Sequence, residues 1–396
     1  NCSIYDGDTP QAHRSQIRRT ANILLTNPDM LHTGILPHHT NWSEFFSNLK
    51  FIVIDEMHTY RGVFGSHVAN VLRRLKRIAA FYGTQPQYLL TSATIGNPTE
   101  LAEKLIGAPV HLVDRDGSAR GPRHFLLYNP PVVDESIGLR KSATLEGVRL
   151  STDLLRENLQ HVIFTRTRRG VEILLKLIQD SAAADGMEHA PAEIRGYRSG
   201  YLPSQRRVIE QGLRHGDVRL VVATSALELG IDIGGLEAAL MVGYPGTIAS
   251  TRQQAGRAGR GDDPAAAILV ASASPIDQFL AHHPEYFFGR SPENAIIDPG
   301  NPHILMAQLR SAVFELPLAS KEVEAAGEYG PAILELLEDC REVSFVRGKY
   351  YWTGKGYPSA DVNLRNICPN IYTIVNEKTG NEVIATIDES SAFQQV

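Results

Sequence analysis

Apolar positions in this chain fall into two alternating series of short runs and helical stripes. In the first, "ANILLT" (21–26), "FIVIDE" (51–56) and "YLLTSAT" (88–94) read as strands, with a helix from about Ser66 to Tyr82 between the last two. Val68, Val71, Leu72, Leu75, Ile78 and Tyr82 recur along that helix at three- and four-residue spacing, which predicts one buried face, while basic residues take the other. From 106 to 124 Gly, Pro and charge break the pattern, as a linker would. The second series runs "HVIFT" (161–165), a helix near 170–179, another near 204–214 stopped by Gly216, then "VRLVVAT" (218–224), "AALMVG" (238–243) and "AAAILVA" (265–271). Strands separated by helices predict parallel sheets, here two in succession with a cleft between them. After about residue 275 regularity falls, and 328–356 reads as a helix and a hairpin, compatible with a small winged-helix-like region.

Composition narrows the class. The chain has 396 residues, 43% apolar and 21% charged, enough for two or three domains. No apolar run is long enough to span a membrane, and the start "NCSIYDGDTP" has neither a signal core nor an initiating Met. A piece of a longer soluble protein is expected. Cys2, Cys340 and Cys368 form no CxxC pair and no even set, which suits a reducing cytoplasm and argues against structural zinc. The pairs His38-His39 and His282-His283 read as solvated loop histidines. Net charge is −5, so bulk charge does not mark a nucleic-acid binder, but "HRSQIRR" (13–19), "RRLKR" (73–77) and "RTRR" (166–169) are compact basic clusters. They suit a phosphate-tracking groove or solvated helix faces.

Candidate chemistry begins where "FIVI" runs into Asp55-Glu56. A continuous apolar run reads as a buried parallel strand, and ligands of open α/β sheets sit beyond the carboxyl ends of strands. Adjacent side chains diverge there, so Asp55 could hold Mg²⁺ while Glu56 orients or deprotonates a water. An exposed acidic turn has the same local pattern. In "TSATIGNP" (91–98), Ser92 and Thr94 could bond those carboxylates and a neighbouring lobe, or make a turn or cap. In "QQAGRAGR" (253–260), Arg257 and Arg260 are three apart on an expected helix, among small residues that permit close approach, and two guanidiniums together fit phosphate oxygens. "ATSALELGIDIGG" (223–235) ends a strand in a turn offering backbone groups and Asp232 to a ribose.

Together these residues resemble superfamily 2 helicases of the DEAD/DEAH-box type. "DEMH" resembles motif II, "TSAT" motif III, "TNPDML" (26–31) motif Ib, "VIFTRTR" (162–168) motif IV, "ATSALELGID" motif V and "QQAGRAGR" motif VI. More narrowly, "YDGDTP" (5–10), residues 55–78, "YRSGYLPSQRR" (197–207) and "TIDESSAF" (386–393) resemble the bacterial mitomycin-repair helicase family, relatives of fungal RecQ4-like helicases. The resemblance implies an α/β fold of two RecA-like lobes, the first N-terminally truncated, plus a C-terminal α+β accessory region. The expected divisions are 1–113 (motifs Ib, II, III), 114–275 (motifs IV, V, VI) and 276–396. It implies ATP and Mg²⁺ as cofactors, nucleic acid, foremost DNA, as partner, no membrane, and a cytoplasmic ATP-dependent helicase acting in DNA repair.

Residue by residue, Asp55 would hold Mg²⁺ and Glu56 activate water, with Arg257 and Arg260 as arginine fingers. Gln253, Gly230 and Asp232 would meet the nucleotide. Ser92 and Thr94 would couple nucleotide state to strand grip, and Thr26, Asp29, Thr165, Arg166 and Thr224 would line the strand path. The chain has no GxxxxGK[ST] phosphate loop; "TGKGY" (353–357) carries Gly356 where a Ser or Thr should ligate magnesium, and reads as a hairpin turn. The family's four-cysteine cluster would lie beyond the last residue. An RNA helicase and a non-hydrolysing nucleic-acid-binding fragment remain alternatives.

Overall fold

In the computed structural model, residues 1–115, 117, 121–187, 190–198, 201–228, 235–259, 263–365, 371–376 and 382–388 are described. They divide into two compact units, Asn1–Ser92 with Asn97–Leu112 and Ala295–Val396, and Ala93–Gly96 with Val113–Asn294.

The first unit opens with two separate parallel pairs, β1 (Cys2–Ile4) with β2 (Ile23–Leu25) and β3 (Phe51–Ile54) with β4 (Gln87–Leu90). The helix Gly62–Phe81 buries Val68, Val71, Leu72, Leu75 and Ile78, as its periodicity predicts. Strand β3 differs from expectation. A strand buried on both faces was predicted, yet Phe51 and Val53 are 56% and 63% exposed. Among the described residues β3 pairs with β4 alone, and no element covers the side on which Phe51 and Val53 stand.

The second unit is built on one parallel sheet. Its strands are β5 (Arg123–Tyr128), β8 (His161–Phe164), β9 (Ile194–Tyr197), β10 (Leu220–Ala223), β11 (Ala238–Val242) and β12 (Ala265–Val270), in spatial order β5-β12-β11-β8-β10-β9. A small antiparallel pair, β6 (Val132–Asp134) with β7 (Leu139–Arg140), follows β5. Alternate residues of the central strands enter two cores. Val162, Phe164, Val221 and Met241 pack on one side with Ile209, Leu213 and Ile248; Ile163, Val222 and Leu240 pack on the other with Val148, Val171 and Leu174. Helices therefore cover both faces, and the fully apolar strand sequences follow from that burial. Gly216, at φ +80°, ends the helix Pro203–His215 where expected.

The C-terminal part of the first unit runs helix Pro302–Glu315, β13 (Leu318–Ala319), helices Ser320–Ala326 and Gly330–Asp339, then hairpin β14 (Val343–Val346) and β15 (Lys349–Trp352). Leu305, Leu309, Val313, Leu334 and Leu337 form its core. The hairpin turns at Arg347-Gly348, both at positive φ. "TGKG" is thus not the hairpin turn: it follows β15, where the Thr353 and Gly354 N–H groups both donate to the Glu342 carbonyl at 2.9 Å. A last pair, β16 (Ile371–Asn376) with β17 (Glu382–Asp388), is antiparallel. Among the described residues no helix is long and apolar enough to cross a membrane.

Lys76 on the basic face of helix Gly62–Phe81 is exposed, but Arg74 and Arg77 are neither solvated nor free for phosphate. Arg74 is 3% exposed; its Nε donates to Glu315 Oε2 at 3.0 Å, Nη2 pairs with Glu315 Oε1, and Nη1 reaches Gln308 Oε1 at 2.7 Å and His32 Nδ1 at 2.6 Å. Arg77 donates to Glu322 at 2.7 Å and to the carbonyls of Ala312 and Leu316. The cluster fastens the C-terminal part of the unit to the helix, which leaves those charges unavailable to phosphates. His39 is likewise not solvated: it is buried between the Tyr82 hydroxyl at 2.9 Å and the Glu315 carbonyl at 3.0 Å.

His67 joins this network, with Nδ1 3.0 Å from Gln308 Nε2, and the network carries a pH dependence. Burial, then Arg74 and His67, push His32 down to about 3, and burial pushes His67 down to about 4. Both are neutral in the folded state, so stability is fully present above an unfolded pKa near 6.5 and is lost as pH falls toward about 4, where only the unfolded chain takes the protons. Each histidine contributes a slope of up to about 1.4 kcal/mol per pH unit in that window. The denaturation midpoint is expected to fall between pH 7 and pH 5; an unchanged midpoint would contradict the network.

Candidate nucleotide and strand site

Strand β3 delivers Asp55 and Glu56 to its carboxyl end. Glu56 turns the chain with φ 51°, a left-handed conformation that a non-glycine residue rarely adopts. Asp55 Oδ1 accepts from the Glu56 N–H at 2.9 Å and from the Thr91 hydroxyl. Thr91 also closes the β3–β4 end, donating its N–H to Ile54 O and accepting from Met57 N–H, each at 2.9 Å. The carboxylate is therefore aimed through one oxygen, with Oδ2 in no hydrogen bond among the described residues and the residue exposed. Among the described residues no cluster of three or more His, Cys, Asp or Glu side chains is placed to hold a metal. A single aimed carboxylate fits Mg²⁺, which keeps several waters and takes substrate phosphates as its remaining ligands. His58 Nδ1 lies 3.4 Å from Glu56 Oε2. Burial holds His58 below the usual imidazole range, against the pull of Glu56. Beside Asp55, Ile23, Leu25, Phe51, Val53 and Leu72 line a groove of about 1340 Å³.

Thr91 is a residue that sequence reasoning passed over in favour of Ser92 and Thr94. Those two flank the point where the chain leaves the first unit, since Ser92 ends one segment and Ala93–Gly96 belongs to the second. In motif Ib the Thr26 hydroxyl donates to Tyr5 O at 2.7 Å, and Asn27 caps the turn Pro28–Met30. Asp29 is paired through both oxygens with Arg365.

In the second unit Thr165 and Thr224 follow the neighbouring strands β8 and β10, so both stand at one end of the sheet. The Thr165 N–H donates to Ala223 O at 2.9 Å, and the Thr224 hydroxyl caps Ser225–Leu227. Arg166 is exposed beside them. The helix carrying Gln253 ends at Ala255, with Gly256 as its cap, so Arg257 does not sit on a helix as expected. Its Nε donates to the Glu228 carbonyl at 3.1 Å and Nη2 reaches the same oxygen. Glu228 is the second residue the sequence did not announce. It is 8% exposed and its carboxylate accepts from Ser250 at 2.8 Å and Gln254 at 3.1 Å, tying motif V to motif VI. Gly259 stands at φ +78° with Ala265 Cβ 2.8 Å from where a side chain would begin, so a glycine is required there. Gly230, Asp232 and Arg260 lie outside the described residues.

The first unit thus carries a strand-end carboxylate pair, and the second holds the segments that resemble motifs V and VI against each other on a doubly covered parallel sheet. The family model for DEAD/DEAH box helicases matches residues 1–101, and that for the helicase conserved C-terminal domain matches 146–262. The chain is 49% identical over 391 residues to an uncharacterized ATP-dependent helicase, YprA, of Bacillus subtilis, covering 98% of this chain and 52% of that protein. It is 36% identical to ATP-dependent helicase HRQ1 of Saccharomyces cerevisiae, over 98% of this chain and 36% of that one. A crystal structure of the DUF1998 helicase MrfA bound to DNA and AMPPNP matches with TM-score 0.89 and 48% identity, over 99% of this chain and 54% of that chain. The chain belongs to the superfamily 2 DEAD/DEAH-box helicases, with their RecA-like α/β fold. Within them it is of the MrfA type. It spans about half the length of the Bacillus relative and about a third of the yeast one.

Proposed function

We propose that the full-length gene product is an ATP-dependent DNA helicase or translocase that acts in DNA repair in the cytoplasm. The observation that carries this reading is the Asp55 carboxylate at the end of β3, aimed by Thr91 and Glu56 N–H with one oxygen open among the described residues. Bound ATP and Mg²⁺ would supply the phosphoanhydride and the charge that polarises it. Asp55 holds the ion, and Glu56 accepts a proton from the attacking water. Arg257 and Arg260 neutralise charge that develops in the transition state, while Gln253, Gly230 and Asp232 hold the nucleotide. Thr26, Asp29, Thr165, Arg166 and Thr224 contact a strand, and Ser92 and Thr94, at the connection between units, pass nucleotide state to that grip.

DNA is preferred over RNA because the MrfA structure holds DNA. Backbone contacts alone do not specify the sugar. Competition between DNA and RNA single strands for ATPase stimulation of the full-length product tests this: DNA is expected to compete more strongly, and stronger competition by RNA would replace the reading with an RNA helicase. The 396-residue chain itself, which carries no GxxxxGK[ST], is expected to turn over ATP at well below about 1 s⁻¹, for want of the N–H cradle and lysine that grip the phosphates. Strand-stimulated turnover above that rate from this chain would contradict the assignment.

A further inference from the structure

Asp29 poses a physical problem for any strand path that includes it, because an anion there repels the phosphates it should help to seat. The structure answers with an arginine from the far end of the same unit. Arg365 Nη1 donates to both Asp29 oxygens, at 2.6 and 2.7 Å. Its guanidinium lies 4.3 Å over the ring of Phe64, at the start of helix Gly62–Phe81. The pair is open to solvent, with side chains 55% and 45% exposed. A single nitrogen thus satisfies the carboxylate, and Nε and Nη2 make no other hydrogen bond among the described residues.

The backbone that carries Arg365 is fixed. The Tyr357 hydroxyl donates to the Thr33 carbonyl, Arg74 Nη2 reaches the Ser359 hydroxyl at 3.3 Å, and Leu364 is buried. Segment 357–365 therefore clasps motif Ib. A solvent-open ion pair stabilises little, so stability alone does not explain why the guanidinium is both stacked and paired. Stacking holds the planar fork in one orientation, which lowers the ordering cost of binding phosphate oxygens.

We propose that Arg365 is a strand-binding residue, supplied by the C-terminal part of the first unit, that neutralises Asp29 with one nitrogen and offers its remaining donors to a phosphate of single-stranded nucleic acid. This rests on the proposed function, since it presumes a strand at motif Ib. Each phosphate neutralised on a single strand contributes about −0.7 to the log–log salt slope of affinity.

The test uses the full-length gene product and a fluorescein-labelled oligothymidylate, with affinity measured by anisotropy between about 50 and 200 mM KCl. Arg365→Gln is expected to make the slope shallower by about 0.7, and Arg365→Lys to keep it. A wild-type slope of zero would remove the strand-binding reading itself. A wild-type slope shared unchanged by Arg365→Gln would overturn this inference alone and leave Arg365 a tether for the C-terminal segment. Phenylglyoxal labelling of the wild-type protein needs no folded variant. Modification of Arg365, read by peptide mass spectrometry, is expected to slow severalfold when strand is saturating, and equal labelling with and without strand would overturn the inference.

Discussion

Glu56→Gln in the full-length gene product is expected to bind ATP and single strands as the wild type does while losing at least about a hundredfold in turnover, the lower end of what a positioned general base contributes. The amide keeps the shape of the side chain and removes the proton acceptor. Glu56 suits that role because its neighbour does not consume it. His58 stands 3.4 Å away, but burial disfavours its charged form, so at neutral pH the contact is not an ion pair. The left-handed backbone at Glu56, φ 51°, is a cost that a surface turn would shed by substituting glycine or asparagine. Single-turnover hydrolysis and nucleotide titration separate the outcomes. Turnover within about threefold of wild type, well under 1 kcal/mol of barrier, would take the water-activating role away from Glu56.

Arg257→Ala is expected to cost turnover on a comparable scale. Arginine fingers in related phosphoryl-transfer systems contribute about 10³–10⁵ in rate, so a loss of at least a hundredfold with nucleotide affinity nearly intact is a cautious expectation. A contact made mainly in the transition state lowers turnover more than binding. Arg257 leans on the Glu228 carbonyl, which gives the substitution a competing structural explanation. Loss of that brace would loosen motif VI and lower the melting temperature. Arg257→Lys distinguishes the two, because it keeps a cation but not the fork that phosphate oxygens match. Steady-state turnover preserved within a fewfold in the alanine variant would remove Arg257 from the chemistry.

The strand-end motifs were legible in the sequence because a parallel sheet writes burial as unbroken apolar runs. "HVIF", "LVVA" and "AALMV" became β8, β10 and β11, side by side at the centre of one sheet. β5 and β9 were not legible. They are the two edge strands, and "RHFLLY" and "IRGY" carry polar residues or glycine that a central strand would exclude. The cluster "RRLKR" misled for a different reason. Charge pattern shows that arginines share a face but not what covers it, and the acidic and amide side chains that hold Arg74 and Arg77 lie 234 to 245 residues later, in Gln308, Glu315 and Glu322. Thr91 and Glu228 escaped because their roles are to aim other groups. A hydroxyl one residue before "SAT" and an acid inside "LELG" carry no local signal of the Asp55 carboxylate and the motif VI side chains that they hold.

The most direct test of the account is steady-state ATP hydrolysis by the full-length gene product, with and without single-stranded DNA, for wild type and Asp55→Asn. Mg²⁺-dependent turnover that the strand accelerates and that Asp55→Asn abolishes is expected; turnover indifferent to DNA, or surviving loss of the Asp55 charge, would contradict the proposed function.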